Sequence, residues 1–347
     1  LHDALPILRT SDFDYNLPEE LIAQTPIEKR DFSRLMVVNR NTKKIEHKHF
    51  YDLIDYLNEG DTLVLNNSRV FHARLFGIKE ETGAKIETFV LKPLSNNMFE
   101  VMIKPAKRLK NGTIVKFDDN LSMQVVEKYD EGLAKVEFFG CDDVFSYIDK
   151  IGTVPLPPYI KEKLDDDDRY QTVYSKDKGS AAAPTAGLHF TKELLEKIKD
   201  KGINVCYVTL HVGLGTFRPV KEDDISNHKM HSEFFIISEE TAKIINDTKK
   251  RGKDIFAVGT TTVRTLESCY QKYGDIRPVS MNTDIFIYPG FEFKVIDHLI
   301  TNFHLPKSTL LMLISAFYNK DDILKAYEEA IKERYRFFSF GDAMLII

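Results

Sequence analysis

Cysteine is scarce in this 347-residue chain: the three present, Cys141, Cys206 and Cys269, lie far apart and in no CxxC arrangement. That argues against a disulfide scaffold and a thiolate metal site, and it fits a reducing compartment, so a cytoplasmic protein is expected. Long apolar runs are missing too. None approaches the roughly 20 residues of a membrane-spanning helix, mean hydropathy is −0.28, and no membrane association is expected. Neither sign of charge dominates. With 48 Lys and Arg against 53 Asp and Glu the formal net charge is −5, so any surface for nucleic acid has to be local. An initiating methionine is also missing, and Leu1–Arg9 has neither the basic start nor the apolar centre of a secretory signal. Residues 1–10 are therefore expected to be a leader foreign to the native protein.

Core-forming material is plentiful, with 43% hydrophobic residues including 24 Phe and 15 Tyr, and at this length two domains are expected. From Ser11 to Asn66 the pattern is mixed. Pro18-Glu19-Glu20 opens a short helix, Leu35–Val38 and Ile45–His49 read as strands around Asn39–Thr42, and an amphipathic helix follows, ending near Gly60. After Val70 the character changes to six short alternating runs, 73–78, 85–91, 99–103, 113–117, 121–127 and 134–139, separated by turn residues such as Asn111-Gly112. Such spacing predicts a small closed β structure. Past Pro155-Leu156-Pro157-Pro158, helices and strands alternate again: a helix over Thr191–Lys201 stopped by Gly202, a strand over Val205–Leu210, a helix from Ser238 to Arg251 and a strand over Ile255–Val258. The expected architecture is α/β, with a discontinuous large domain (11–69 and 152–347) and an all-β domain (70–151) inserted into it.

Five of the ten histidines, His189, His211, His228, His231 and His304, fall in clusters of Gly, Thr, Asn and Arg. His228-Lys-Met-His231-Ser-Glu233 offers three potential metal ligands, yet it is not HExxH and has no second cluster at zinc spacing, so no metal is expected. Hydrogen-bonded loop histidines leading into a strand are the plainer alternative. His211-Val-Gly213-Leu-Gly215-Thr-Phe-Arg218 follows a strand but lacks the third glycine of a dinucleotide loop. Gly213 and Gly215 can let backbone approach a ligand and Arg218 can meet a carboxylate or phosphate; a structural turn is the alternative. Between the strand Ile255–Val258 and a helix carrying Arg264 and Glu267 stands Gly259-Thr260-Thr261-Thr262. Free N–H groups at a helix N-terminus bind anions; the alternative is that one threonine caps the helix and Arg264 pairs with Glu267 at i,i+3. Thr283-Asp284 to Gly290 and Thr301-Asn302-Phe303-His304 put polar groups at the ends of apolar strands, which makes Asp284 and His304 acid or base candidates. For nucleic acid the best basic stretch is Lys104–Lys110, which includes Lys107 and Arg108, with Lys332, Arg334 and Arg336 as a second group.

With these motifs in view, the chain resembles the S-adenosylmethionine:tRNA ribosyltransferase-isomerase family of queuosine biosynthesis. The resemblance runs from Ser11 to Ile346 and is most specific in Ala182–Thr191, His211–Val220, His228–Glu233, Gly259–Ser268, Thr283–Gly290 and Leu299–Leu311. Asn67-Ser68 stands where many members have Asp-Thr, and Met281-Asn282 precedes Thr283 where a Trp is common. The resemblance implies a large α/β-barrel-like domain with an inserted β-barrel. It also implies transfer and isomerisation of the ribosyl part of S-adenosylmethionine onto 7-aminomethyl-7-deazaguanine at the tRNA wobble position, giving epoxyqueuosine with release of adenine and methionine. No cofactor or metal is implied, S-adenosylmethionine being a consumed substrate, and a monomer is expected. On this reading the methionine carboxylate sits near Gly259–Thr262 or Arg218, and the general base is one of His189, His211, His231 and Asp284. Glu233 and Arg264 orient that shell, while Thr185, Gly213, Gly215, Asn302 and His304 complete the substrate site. Competing readings are a tRNA-binding protein without catalysis and another S-adenosylmethionine-dependent RNA-modifying enzyme. A methyltransferase lacks support because its glycine-rich first turn is absent.

Overall fold

The computed structural model of the protein describes residues 6–213 and 219–347. Strands β1 (Arg34–Val38) and β2 (Ile45–His49) form an antiparallel hairpin that pairs Arg34 with His49 and Val38 with Ile45. Its turn is held by Asn39 Oδ1, which accepts from the N–H groups of Asn41 and Thr42. The amphipathic segment that follows is not an α-helix. It is a 3-10 helix over Phe50–Tyr56, and the spacing of its buried Phe50 and Leu53 suits three residues per turn. Next, β3 (Thr62–Asn66) has all five residues buried, as expected of a strand covered on both faces.

Six strands then close a barrel: β4 (Arg74–Lys79), β5 (Lys85–Ser95), β6 (Met98–Lys104), β7 (Ile114–Lys116), β8 (Ser122–Lys128) and β9 (Leu133–Phe139), in the order β9-β6-β5-β4-β7-β8. These are the six alternating runs of the sequence, displaced by a few residues at most. Alternation points Leu75, Ile86, Val90, Val101, Val115, Val125, Val136 and Phe138 into the barrel core. Gly77 leaves room for the side chains beside it, because a Cβ there would stand 2.7 Å from Val115. Helix α1 (Val144–Ile151) adds Val144 and Ile148 to the same core. The barrel belongs to a compact unit of residues 70–156 and 178–182; the rest of the chain forms the other unit.

The larger unit continues with α2 (Lys192–Asp200), β10 (Asn204–Leu210), β11 (Glu233–Ile237), α3 (Glu239–Lys250), β12 (Ile255–Val258), α4 (Thr260–Tyr273), β13 (Val279–Thr283), β14 (His298–Asn302), α5 (Thr309–Phe317), α6 (Lys320–Lys332) and β15 (Ala343–Ile346). Thr191, Ser238 and Ser308 cap α2, α3 and α5 by accepting from the N–H groups of Leu194, Thr241 and Leu311. Among the described residues nine strands form one mixed sheet, ordered β13-β11-β10-β3-β12-β14-β15-β1-β2. Its centre is parallel, with β10, β3, β12 and β14 running the same way and Cys206 and Ala257 both registered on Val64. Leu194, Leu195 and Ile198 of α2 pack on Leu63, Leu65 and Phe256 in one buried cluster, each contributing about 1.5–3 kcal/mol by burial. Among the described residues no helix is long and apolar enough to cross a membrane.

Candidate active site

Parallel strands deliver their carboxyl ends to one edge, where open α/β sheets take ligands. Here Leu210, Asn66, Val258 and Asn302 close β10, β3, β12 and β14 side by side. Asn66 ties three of the surrounding segments together: its Nδ2 donates to the Leu210 carbonyl (3.0 Å) and to Thr261 Oγ1 (3.2 Å), and its Oδ1 accepts from the N–H groups of Leu210 and Ser68. Sequence reasoning passed over this residue. Its place at the end of the buried run Leu63-Val-Leu65, the first of the pair Asn66-Asn67, was its signal.

Helix α4 starts at Gly259, whose φ of 87° and ψ of 152° belong to a region that glycine alone visits freely. No threonine side chain caps the helix. Thr262 and Thr265 instead return their hydroxyls to the carbonyls of Val258 and Thr261, while Thr260 and Thr261 are buried at the first turn. Arg264 is also buried, at 3% exposure, and it does not pair with Glu267. Glu267 accepts from the N–H groups of Lys294, Val295 and Ile296 at 3.0–3.2 Å; burial still raises its pKa, against the pull of those three amides. The partner of Arg264 is Glu233, at 2.6 Å through Nη1, and the other oxygen of Glu233 accepts from the Gly213 N–H at 3.1 Å. Among the described residues Nε and Nη2 of Arg264 have no partner. A buried donor left so costs about 1–3 kcal/mol, more when charged.

His211 follows β10 and runs beside β11, its N–H donating to the Phe234 carbonyl. Its ring Nδ1 is buried and lacks a partner among the described residues, and burial lowers its pKa against a raising influence from Asp177. His189 ends the turn Thr185–His189, which reaches α4 because a Cβ on Gly259 would lie 3.5 Å from Ala186. It stacks on Phe50 at 4.9 Å. Ser33 donates to the Arg30 carbonyl, so the 2.7 Å contact between Ser33 Oγ and His189 Nδ1 assigns the proton to Nδ1. That tautomer leaves Nε2 facing Asn302 Nδ2 at 3.5 Å. Burial, helped by Arg30 and Arg336, lowers the His189 pKa to about 3. Thus Arg264, Glu233 and Gly213 are linked by hydrogen bonds, Asn66 ties Thr261 to Leu210, the residue before His211, His189 faces Asn302, and Thr185 and Thr260 belong to the turn and the helix start that bring Ala186 against Gly259.

Other expected residues stand apart from this group. His304 bonds Thr301 Oγ1 through Nε2 at 2.7 Å and Tyr327 through its N–H, and its carbonyl accepts from Tyr15; burial lowers its pKa to about 3. His231 and Asp284 are exposed, and β13 ends at Thr283, so Asp284–Gly290 is irregular chain where a strand was expected. His228 bonds Glu222 at 3.0 Å and meets Phe286 edge-on. Gly215, Arg218 and the Arg108 side chain lie outside the described residues.

Fold and site together define an α/β protein with a group of buried polar side chains gathered at the carboxyl ends of parallel strands, the edge at which open α/β sheets take ligands. A model of the queuosine biosynthesis protein family matches residues 10–346, and the chain belongs to that family. It is 58% identical over 343 residues to the S-adenosylmethionine:tRNA ribosyltransferase-isomerase of Staphylococcus haemolyticus (strain JCSC1435), covering 98% of this chain and 100% of that one. The protein of the same name from Clostridioides difficile (strain 630) is 58% identical over 341 residues, with the same coverage. Among solved structures, the S-adenosylmethionine tRNA ribosyltransferase of Thermotoga maritima is 42% identical, with a TM-score of 0.57 over 97% of this chain and 100% of that one.

Proposed function

We propose that this chain is an S-adenosylmethionine:tRNA ribosyltransferase-isomerase that works on tRNA carrying 7-aminomethyl-7-deazaguanine at the wobble position, in the cytoplasm. Its product is epoxyqueuosine in tRNA, with adenine and methionine released. The observation that carries the reading is the gathering of His211, Glu233, Gly259–Thr261, Arg264, His189 and Asn302 at the carboxyl ends of neighbouring strands, in a chain matched along 98% of its length by proteins of that name. The sulfonium makes the adjacent ribose carbon acidic, so a positioned base can remove a proton there. Adenine leaves as the ring rearranges, and the aminomethyl nitrogen then captures the ribosyl carbon. Of the base candidates His211 suits the step best: burial favours its neutral form and its Nδ1 has no partner among the described residues. His189, with a pKa near 3 and both ring nitrogens engaged, suits positioning of Asn302. This reading needs no cofactor.

Purified protein, S-adenosylmethionine and tRNA bearing the aminomethyl deazaguanine are mixed, and adenine release is followed beside the mass of the modified nucleoside. Equal yields of adenine and epoxyqueuosine are expected. Tight tRNA binding without adenine release would mean a binding protein, and methyl transfer without adenine release another class of enzyme.

A further inference from the structure

Arg264 offers a planar edge that its protein neighbours leave almost unused. Its Nη1 is taken by Glu233, whereas Nε and Nη2, both buried, have no partner among the described residues. Those two nitrogens are the fork that grips a carboxylate through two parallel hydrogen bonds. Side chains on a helix lean toward its N-terminus, so the fork of this second-turn residue is carried toward the first turn of the 14-residue α4, whose leading N–H groups lack helical partners.

Glu233 complements it. Among the described residues each of its oxygens accepts one bond, from Arg264 or from the Gly213 N–H, and an ionised carboxylate has about four acceptor sites. Capacity for a cation therefore remains beside the fork. The two side chains cancel in charge, so a phosphate dianion would meet Glu233 as well as Arg264. A group with both signs a few bonds apart satisfies both.

We propose that the Arg264–Glu233 pair is the receptor for a zwitterionic α-amino acid: Arg264 takes its carboxylate through Nε and Nη2, and Glu233 takes its ammonium. Resting on the function proposed above, this assigns the pair to the methionine end of S-adenosylmethionine and makes Arg264 a direct ligand rather than an orienting residue. The fork is sealed from solvent in this structure, so the ligand enters by a local opening and is dehydrated once bound.

Calorimetric titrations test it, with tRNA lacking the aminomethyl group present so that nothing turns over. S-Adenosylmethionine is compared with its decarboxylated analogue on the unaltered protein, where the analogue is expected to bind about 10- to 100-fold more weakly. In Arg264→Lys, which keeps the charge and loses the fork, that preference is expected to fall to a few-fold at most. In Glu233→Gln the penalty for the deaminated analogue is expected to shrink likewise. Equal binding of the parent and the decarboxylated compound by the unaltered protein would overturn the proposal even if neither variant folds, as would full preference in a folded Arg264→Lys. Adenine release by the same preparation separates the two readings: preference without release sinks the transferase and leaves the receptor standing, and release without preference does the reverse.

Discussion

His189 and His304 each make the large unit sensitive to acid. Burial holds both near a pKa of 3, while in the unfolded chain each takes a proton near pH 6.5. Their contribution is complete above about pH 6.5, and it falls as pH drops from there toward about pH 3. Urea midpoints measured at about pH 7.5 and about pH 5 should therefore diverge, and less so in His304→Gln, whose amide can still reach Thr301. An identical pH dependence in that variant would refute the assignment. His211 is tested differently. His211→Asn should keep the unfolding temperature within a few degrees and lower the rate of adenine release by about 10²- to 10⁴-fold, the usual worth of a general base; unchanged turnover would clear it. His189→Asn should instead lose stability, because it abandons the stack on Phe50 and the bond to Ser33.

At the scale of elements, the start of α4 depends on the backbone of Gly259. An alanine there finds room, with its nearest neighbour at 3.5 Å, yet must adopt φ 87°, a strain of about 1–3 kcal/mol. Gly259→Ala is expected to lower stability by that amount and to weaken S-adenosylmethionine binding. Gly274→Ala, at the other end of the helix with φ 74° and nothing within 4 Å, should lower stability alone. Thermal unfolding and titration calorimetry separate the two, and equal loss of affinity in both variants would detach the helix start from the ligand. Elements with a single strong period were legible: the six barrel strands, and α2 and α3 with their Thr191 and Ser238 caps. The segment 50–56 was not, because a three-residue period and a 3.6-residue period coincide over so short a run.

For the whole molecule, each unit has its own buried cluster, and the gathered site residues all belong to the larger one. Phe138→Ala in the barrel core removes a fully buried ring and should cost about 3–5 kcal/mol of stability. Below its unfolding temperature the variant should still bind S-adenosylmethionine within a few-fold of the unaltered protein. A loss beyond tenfold, seen by calorimetry with the barrel still folded by circular dichroism, would show that the barrel shapes the site.

Periodicity, turn residues and caps by themselves determined the α/β class and the six-stranded barrel, since these depend on contacts a few residues apart. Motif resemblance pointed to the family and to segments such as Ala182–Thr191 and Gly259–Ser268. Partner choice was decided only in three dimensions. Arg264 has an acid three residues away in Glu267, yet its ion pair is with Glu233, 31 positions off, because β11 and the start of α4 meet at one edge while the amides of 294–296 occupy Glu267. The guanidinium edge that has no partner among the described residues is a property of packing, and no local pattern in the chain encodes it.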